Sequence, residues 1–267
     1  MALHSTVEAV QNDGAIRLAA FSHDSDANRN AIRHAGGILK VTAAMGLFPD
    51  GGALAEATRA AQSACDEYED KIVAFHDADE PDDASLTRRL EVEYLGRQCA
   101  HATEARSRFA EEHSTVQINS CLALTELARD SRSNQDSIRT AEGIDRVTAA
   151  MVTLPDDYEM QYNGCLSLAV LAQENEQNQQ AIVEARGIER VMSAMIAFAD
   201  DVETQEYGCY ALRELAHENP DVQAAILAAG AVEVIDAALR AVASGSIDDA
   251  DDLVQQRCSD ALRIQIV

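Results

Sequence analysis

The stretch Gln161-Tyr162-Asn163-Gly164-Cys165-Leu166-Ser167-Leu168-Ala169-Val170-Leu171-Ala172 decides the reading of this chain, because close variants of it stand on either side. Gln117-Ile118-Asn119-Ser120-Cys121-Leu122-Ala123-Leu124-Thr125-Glu126-Leu127-Ala128 lies 44 residues before it. Gln205-Glu206-Tyr207-Gly208-Cys209-Tyr210-Ala211-Leu212-Arg213-Glu214-Leu215-Ala216 lies 44 residues after it. Within the stretch, Cys165, Leu168, Leu171 and Ala172 recur every three or four residues, which puts them on one face of a helix.

The match runs on downstream. Asn134-Gln135 with Ile138 corresponds to Asn178-Gln179 with Ile182, and Gly143-Ile144, Val147 and Met151 correspond to Gly187-Ile188, Val191 and Met195. The third copy keeps Gln223, Ile226, Val232, Ile235 and Leu239. A further copy opens the chain, with Gln11, Asn28, Ile32, Gly37-Ile38, Val41 and Met45 at the same internal spacing. A fixed period in the forties is the signature of stacked helical repeats. Each unit reads as a long, a short and a medium helix. Asn178 is placed to cap the short helix, and Gly187 to let the chain turn sharply. No unit covers its own apolar face, so neighbours must stack.

These residues resemble the armadillo repeat, in which a short helix with Asn-Gln-x-x-Ile leads through Gly to Gly-Ile-x-x-Val and then to a long third helix. HEAT repeats are the alternative. The copies also resemble the armadillo segments of protist repeat proteins and of repeat kinases. The resemblance implies an all-α, right-handed armadillo-like α-solenoid superhelix. It would have about four regular or near-regular repeats, one divergent long-helix unit and a partial C-terminal repeat. The boundaries are an N-terminal repeat at 1–48, a divergent helical pair at 49–114, repeats at 115–158, 159–202 and 203–250, and a capping helix at 251–267.

The divergent pair covers two helical segments. Leu54, Thr58, Ala61, Cys65, Tyr68, Ile72 and Phe75 form a heptad-like seam. After the acidic loop His76 to Asp83, a second segment from Ser85 to His113 carries Leu86, Leu90, Leu95, Cys99, Ala102 and Phe109. Such a pair is either a degenerate repeat or a hairpin that projects from the stack. Gln255 to Arg263 resembles the start of another long helix, and the final residues, Ile264 to Val267, are apolar enough to cap the last unit or to dock on another subunit.

Composition bounds the function. The chain has 267 residues, 47% of them hydrophobic, 4% aromatic and none Trp, with a formal net charge of −25. That balance is too apolar for disorder and too acidic for direct contact with nucleic acid or anionic lipid. It suits a basic protein partner, or serves solubility alone. No segment is long and apolar enough to span a bilayer, and the N-terminus lacks a signal-peptide pattern. An intracellular, cytoplasmic location is expected.

Cys121, Cys165 and Cys209 occupy one repeat position, roughly 10 Å apart in stacked units, too far for a disulfide or a shared zinc. They read as buried structural cysteines. The acidic loop at 76–83, the run Asp248, Asp249, Asp251 and Asp252, and His23 with Asp24 and Asp26 lack the spacing of a metal site. No nucleotide loop or hydrolase motif is present, so neither catalysis nor a cofactor or metal is expected.

In peptide-binding armadillo proteins a Trp, with Asn four residues later, lines a concave groove on the long helices. Here the Trp positions hold Ile16, Leu122, Leu166 and Tyr210, and the Asn positions hold Ala20, Glu126, Val170 and Glu214. With neighbours Asn119, Asn163, Gln173, Tyr207 and His217, these give an apolar-acidic strip suited to a basic or basic-apolar segment. The expected role is a non-catalytic adaptor or scaffold. A structural subunit that docks through its ends and the long helical pair is one alternative, and a helical-repeat lyase or chaperone is another.

Overall fold

Why each unit folds into three helices is visible at its boundaries. A computed structural model describes residues 13–20, 22, 23, 25–46, 63, 65, 66, 95, 97–100, 104, 114–244 and 252–265. Among them the secondary structure is helical throughout, with no strand. The helices are α1 (13–20), α2 (Asp26–His34), α3 (Gly37–Gly46), α4 (114–128), α5 (Arg132–Thr140), α6 (Gly143–Thr153), α7 (Tyr158–Ala172), α8 (Glu176–Glu184), α9 (Gly187–Ala197), α10 (Val202–Ala216), α11 (Pro220–Ala228), α12 (Ala231–Ser244) and α13 (Asp252–Gln265).

Long helices α7 and α10 start where the carboxylates of Asp157 and Asp201 accept from the backbone N–H groups of Met160 and Thr204. That satisfies donors a helix start would otherwise leave bare. The chain then leaves the helix at Gln173 and His217, passes through left-handed Glu174 and Glu218, and enters the next short helix. Asn175 and Asn219 cap that helix, accepting from Asn178 N and Val222 N. The expected cap at Asn178 is therefore corrected: Asn178 lies one turn inside, and its amide donates to Leu171 O at 2.8 Å. A cap needs extended backbone, which Asn175 supplies and Asn178 does not.

The turn from short to medium helix also differs from expectation. The left-handed residue is Glu142 in one unit and Arg186 in the next, one position before the recurring glycine. Gly187 already belongs to α9, and it matters for space: a Cβ there would stand 2.3 Å from Ile182 Cγ2 and 3.0 Å from Ile182 O. The glycine lets α9 ride directly on the end of α8.

Two compact units divide the chain, residues 1–49 with 114–267 and residues 50–113. In the first, the helices form three rows. Long helix α10 packs along α7 on one side and α13 on the other. Medium helices follow in series, α3 on α6, α6 on α9 and α9 on α12, and short helices do likewise. The core repeats with the sequence: Ile138, Ile182 and Ile226 are fully buried at equivalent positions. Truncating one of them to Ala removes about 2–5 kcal/mol.

The N-terminal repeat joins the 115–158 repeat directly. Helix α3 packs on α6, and the Gln117 amide donates to Met45 O at 3.2 Å. Residues 50–113, the second unit, therefore interrupt the first unit in sequence. Of the second unit, the described residues include Cys65 and Cys99, joined in a disulfide across the two expected helical segments. The acidic loop at 76–83, and most of the heptad seam and the second segment, lie outside the described residues, as do Asp24, Asp248, Asp249, Asp251 and the last two residues.

Candidate partner-binding surface

The strip expected to bind a partner lies on α4, α7 and α10. Leu122, Leu166 and Tyr210 align across these helices and are all half-buried. Asn119, Gln173 and Tyr207 are also half-buried, and His217 is exposed. Three of the expected residues are not surface at all. Asn163 is 2% exposed, Val170 2% and Glu214 4%. Asn163 uses its amide within its own helix, donating to Glu159 O at 2.8 Å.

The two acidic residues of the strip are satisfied within the chain. Glu126 takes His23 Nδ1 at 2.9 Å and Arg129 Nη2 at 3.0 Å. Burial alone would raise its carboxyl pKa, but the hydrogen bonds from His23 and Arg129 outweigh it and hold the group below the ordinary carboxylate range. Glu214 pairs with Arg213. Their charges are spent internally, so they do not form the acidic face expected from the sequence.

An acidic and aromatic surface does exist, one to two turns nearer the start of the long helices. Tyr158 and Tyr162 stack at 6.1 Å between ring centroids, and Tyr162 meets Tyr207 of the next unit at 6.2 Å. Arg257 of α13 continues the row, 5.6 Å from the Tyr207 centroid and 4.4 Å from that of Tyr210. Its guanidinium also reaches Glu206 Oε1 at 3.0 Å. Arg213 also lies over the Tyr210 ring, at 5.2 Å. Tyr158 remains 51% exposed. Glu159 and Glu203 are exposed beside the row. Burial raises the Tyr162 hydroxyl above its ordinary value, and the charges of Glu159, Glu203 and Asp201 add to the shift.

Sequence reasoning reaches Tyr207 and Tyr210 but misses Tyr158 and Tyr162, because it follows the family's Trp and Asn positions. The signal was present: four of the chain's six tyrosines, Tyr158, Tyr162, Tyr207 and Tyr210, fall in two equivalent helices of an aromatic-poor chain. Arg257 carried no local signal, since only packing brings α13 beside α10.

The cysteines divide in two ways. Cys121 and Cys165 are fully buried free thiols, as expected, and burial pushes each up to about 12. Such thiols are inert packing groups. Cys209 differs: it forms a disulfide with Cys258 of α13, with Cα atoms 4.8 Å apart. The expected spacing applies among the three regular units, whereas Cys258 lies on α13, which packs along α10 and sets it against Cys209. Among the described residues no group of His, Cys, Asp or Glu is arranged to hold a metal ion. Among them, too, no single helix is long and apolar enough to cross a membrane.

No family model matches the chain, and no curated protein matches it. Solved structures of engineered proteins do. One is 20% identical with a TM-score of 0.54, covering 97% of this chain and 91% of the other. A second is 18% identical with a TM-score of 0.54, covering 96% and 91%. A third, at 21% identity and a TM-score of 0.52, covers 97% of this chain and 55% of the other. The likeness extends to the all-helical, repeat-like fold and no further.

Proposed function

We propose that the chain is an armadillo-like α-solenoid that serves as a protein-binding scaffold, without chemistry of its own. The period of 44 and the three-row stacking support the architecture. The observation that carries the function is the partly exposed strip across the long helices. It holds Leu122, Leu166 and Tyr210, flanked by the tyrosine row and by Glu159 and Glu203. Partly exposed apolar and aromatic side chains aligned across consecutive repeats give the evenly spaced anchor points an extended or helical partner segment needs. With a net charge of −25, the chain favours a basic or basic-apolar segment.

Two disulfides among six cysteines bear on location. Disulfides persist in oxidising compartments and are rare in the cytosol. The bridges therefore weigh against the cytoplasmic location expected from the sequence.

The test is capture of interacting proteins on the immobilised chain, in low and high salt, beside the variant Leu166→Arg, with circular dichroism to check that the variant folds. The scaffold reading expects a stoichiometric protein of basic composition, released by salt and lost with Leu166→Arg. Equal capture by the folded variant would contradict the strip as the binding surface.

A further inference from the structure

The chain carries its own example of what the tyrosine row binds. Arg257 lies over the rings of Tyr207 and Tyr210 with its guanidinium on Glu206, an aromatic floor with a carboxylate at its edge. A guanidinium in that setting gains ring attraction and an ion pair together. The preceding long helix offers the same ingredients at other positions, since a shift of 44 carries Tyr207 and Tyr210 onto Asn163 and Leu166. Tyr158 and Tyr162 lie 6.1 Å apart, Tyr158 is half-exposed, and its hydroxyl donates to Glu159 Oε1 at 3.2 Å. Glu203 is exposed on the adjoining helix, and among the described residues no cation pairs with Glu159 or Glu203.

We infer that Tyr158 and Tyr162, with Glu159 and Glu203, form a docking site for an arginine side chain of a partner protein segment, similar in kind to the setting Arg257 fills on α10. Three observations favour arginine as the occupant. The surface is acidic, the Tyr158 ring is half-exposed, and the neighbouring long helix already holds a guanidinium against its tyrosines. The planar guanidinium stacks on a ring while donating sideways to carboxylates, a geometry lysine does not match. This inference rests on the scaffold reading but names a site outside the Leu122–Leu166–Tyr210 strip, so the two can fail separately.

The test uses the full chain and a fluorescein-labelled hexa-arginine peptide, with its neutral hexa-citrulline counterpart as control, in fluorescence anisotropy at physiological salt. The double change Tyr158→Leu with Tyr162→Leu leaves the net charge unaltered, so non-specific attraction to an acidic protein is unmoved by it. The expected result is about a fivefold or greater loss of hexa-arginine affinity, from two ring contacts at a partly exposed site. Tyr158→Phe with Tyr162→Phe keeps both rings and should retain binding, which separates ring contact from loss of fold. Wild-type affinity in the leucine variant, or no preference for arginine over citrulline in the wild type, overturns the site. Loss of captured partner with Leu166→Arg, in the face of either of those results, would leave the scaffold reading standing.

Discussion

Gln179 links two repeats through one side-chain amide. Its nitrogen donates to Glu214 O at 2.9 Å and His217 O at 3.1 Å, and its oxygen accepts from Asn219 at 2.9 Å. In the preceding unit Gln135 makes the equivalent link, donating to Val170 O and accepting from Asn175. Gln223, the next equivalent, bonds instead to Ala216 O of its own unit. Because Gln179 satisfies carbonyls at the end of a buried helix, Gln179→Leu should cost about 2–3 kcal/mol in urea unfolding. Gln223→Leu should cost about 1 kcal/mol or less. Equal costs would show that the amide ladder does not join the units. Glu126 supplies a pH test at the same scale. Its folded pKa is depressed, so its contribution is present above the ordinary glutamate value, about 4.3, and is lost as pH falls through the lower folded value. On acidification below about pH 4 the wild type should lose more stability than Glu126→Gln. Parallel losses would mean that the His23 and Arg129 contacts do not form in solution.

At the scale of the helix, the last element behaves differently from the rest. Helix α13 buries Val254, Cys258 and Ala261 against its neighbours and is fastened to α10 by the Cys209–Cys258 bridge and by the Arg257–Glu206 pair. Cys258→Ser should lower stability by about 2–4 kcal/mol. Alkylation of the denatured chain without reductant should label two of its six cysteines, and all six after reduction. Labelling of all six before reduction would remove both the latch and the ground for an oxidising compartment. The helices themselves were legible in the sequence, because apolar spacing and the glycine that opens a medium helix are local signals, although the cap was read at Asn178 and stands at Asn175. Cys209 pairing with Cys258 was not, since it depends on how closely α13 approaches α10. The burial of Val170 and Glu214 was hidden for the same reason, and so was the use of Glu126 by His23, 103 residues earlier. Repeat position says which face a residue occupies, but the partner on that face comes from elsewhere in the chain.

At the scale of the whole molecule, the repeats of the first unit form a linear stack in which each touches only its neighbours. Within that unit the helices before residue 50 pack on those after residue 113 as neighbouring repeats do. A linear stack makes an unusual promise: a whole period is removable. Deleting residues 161–204 joins Met160 to Gln205, the position that Gln161 occupies in the intact chain. The shortened chain then presents α10 to the medium helix α6, as α7 was presented before. The decisive measurement is equilibrium urea unfolding of this deletion, followed by circular dichroism. The stack predicts a folded protein with the same helical signal per residue, a single cooperative transition and a lower total stability. Loss of the helical signal or of the cooperative transition would contradict it, because that is how a fold with a shared, non-repeating core responds to losing 44 contiguous residues.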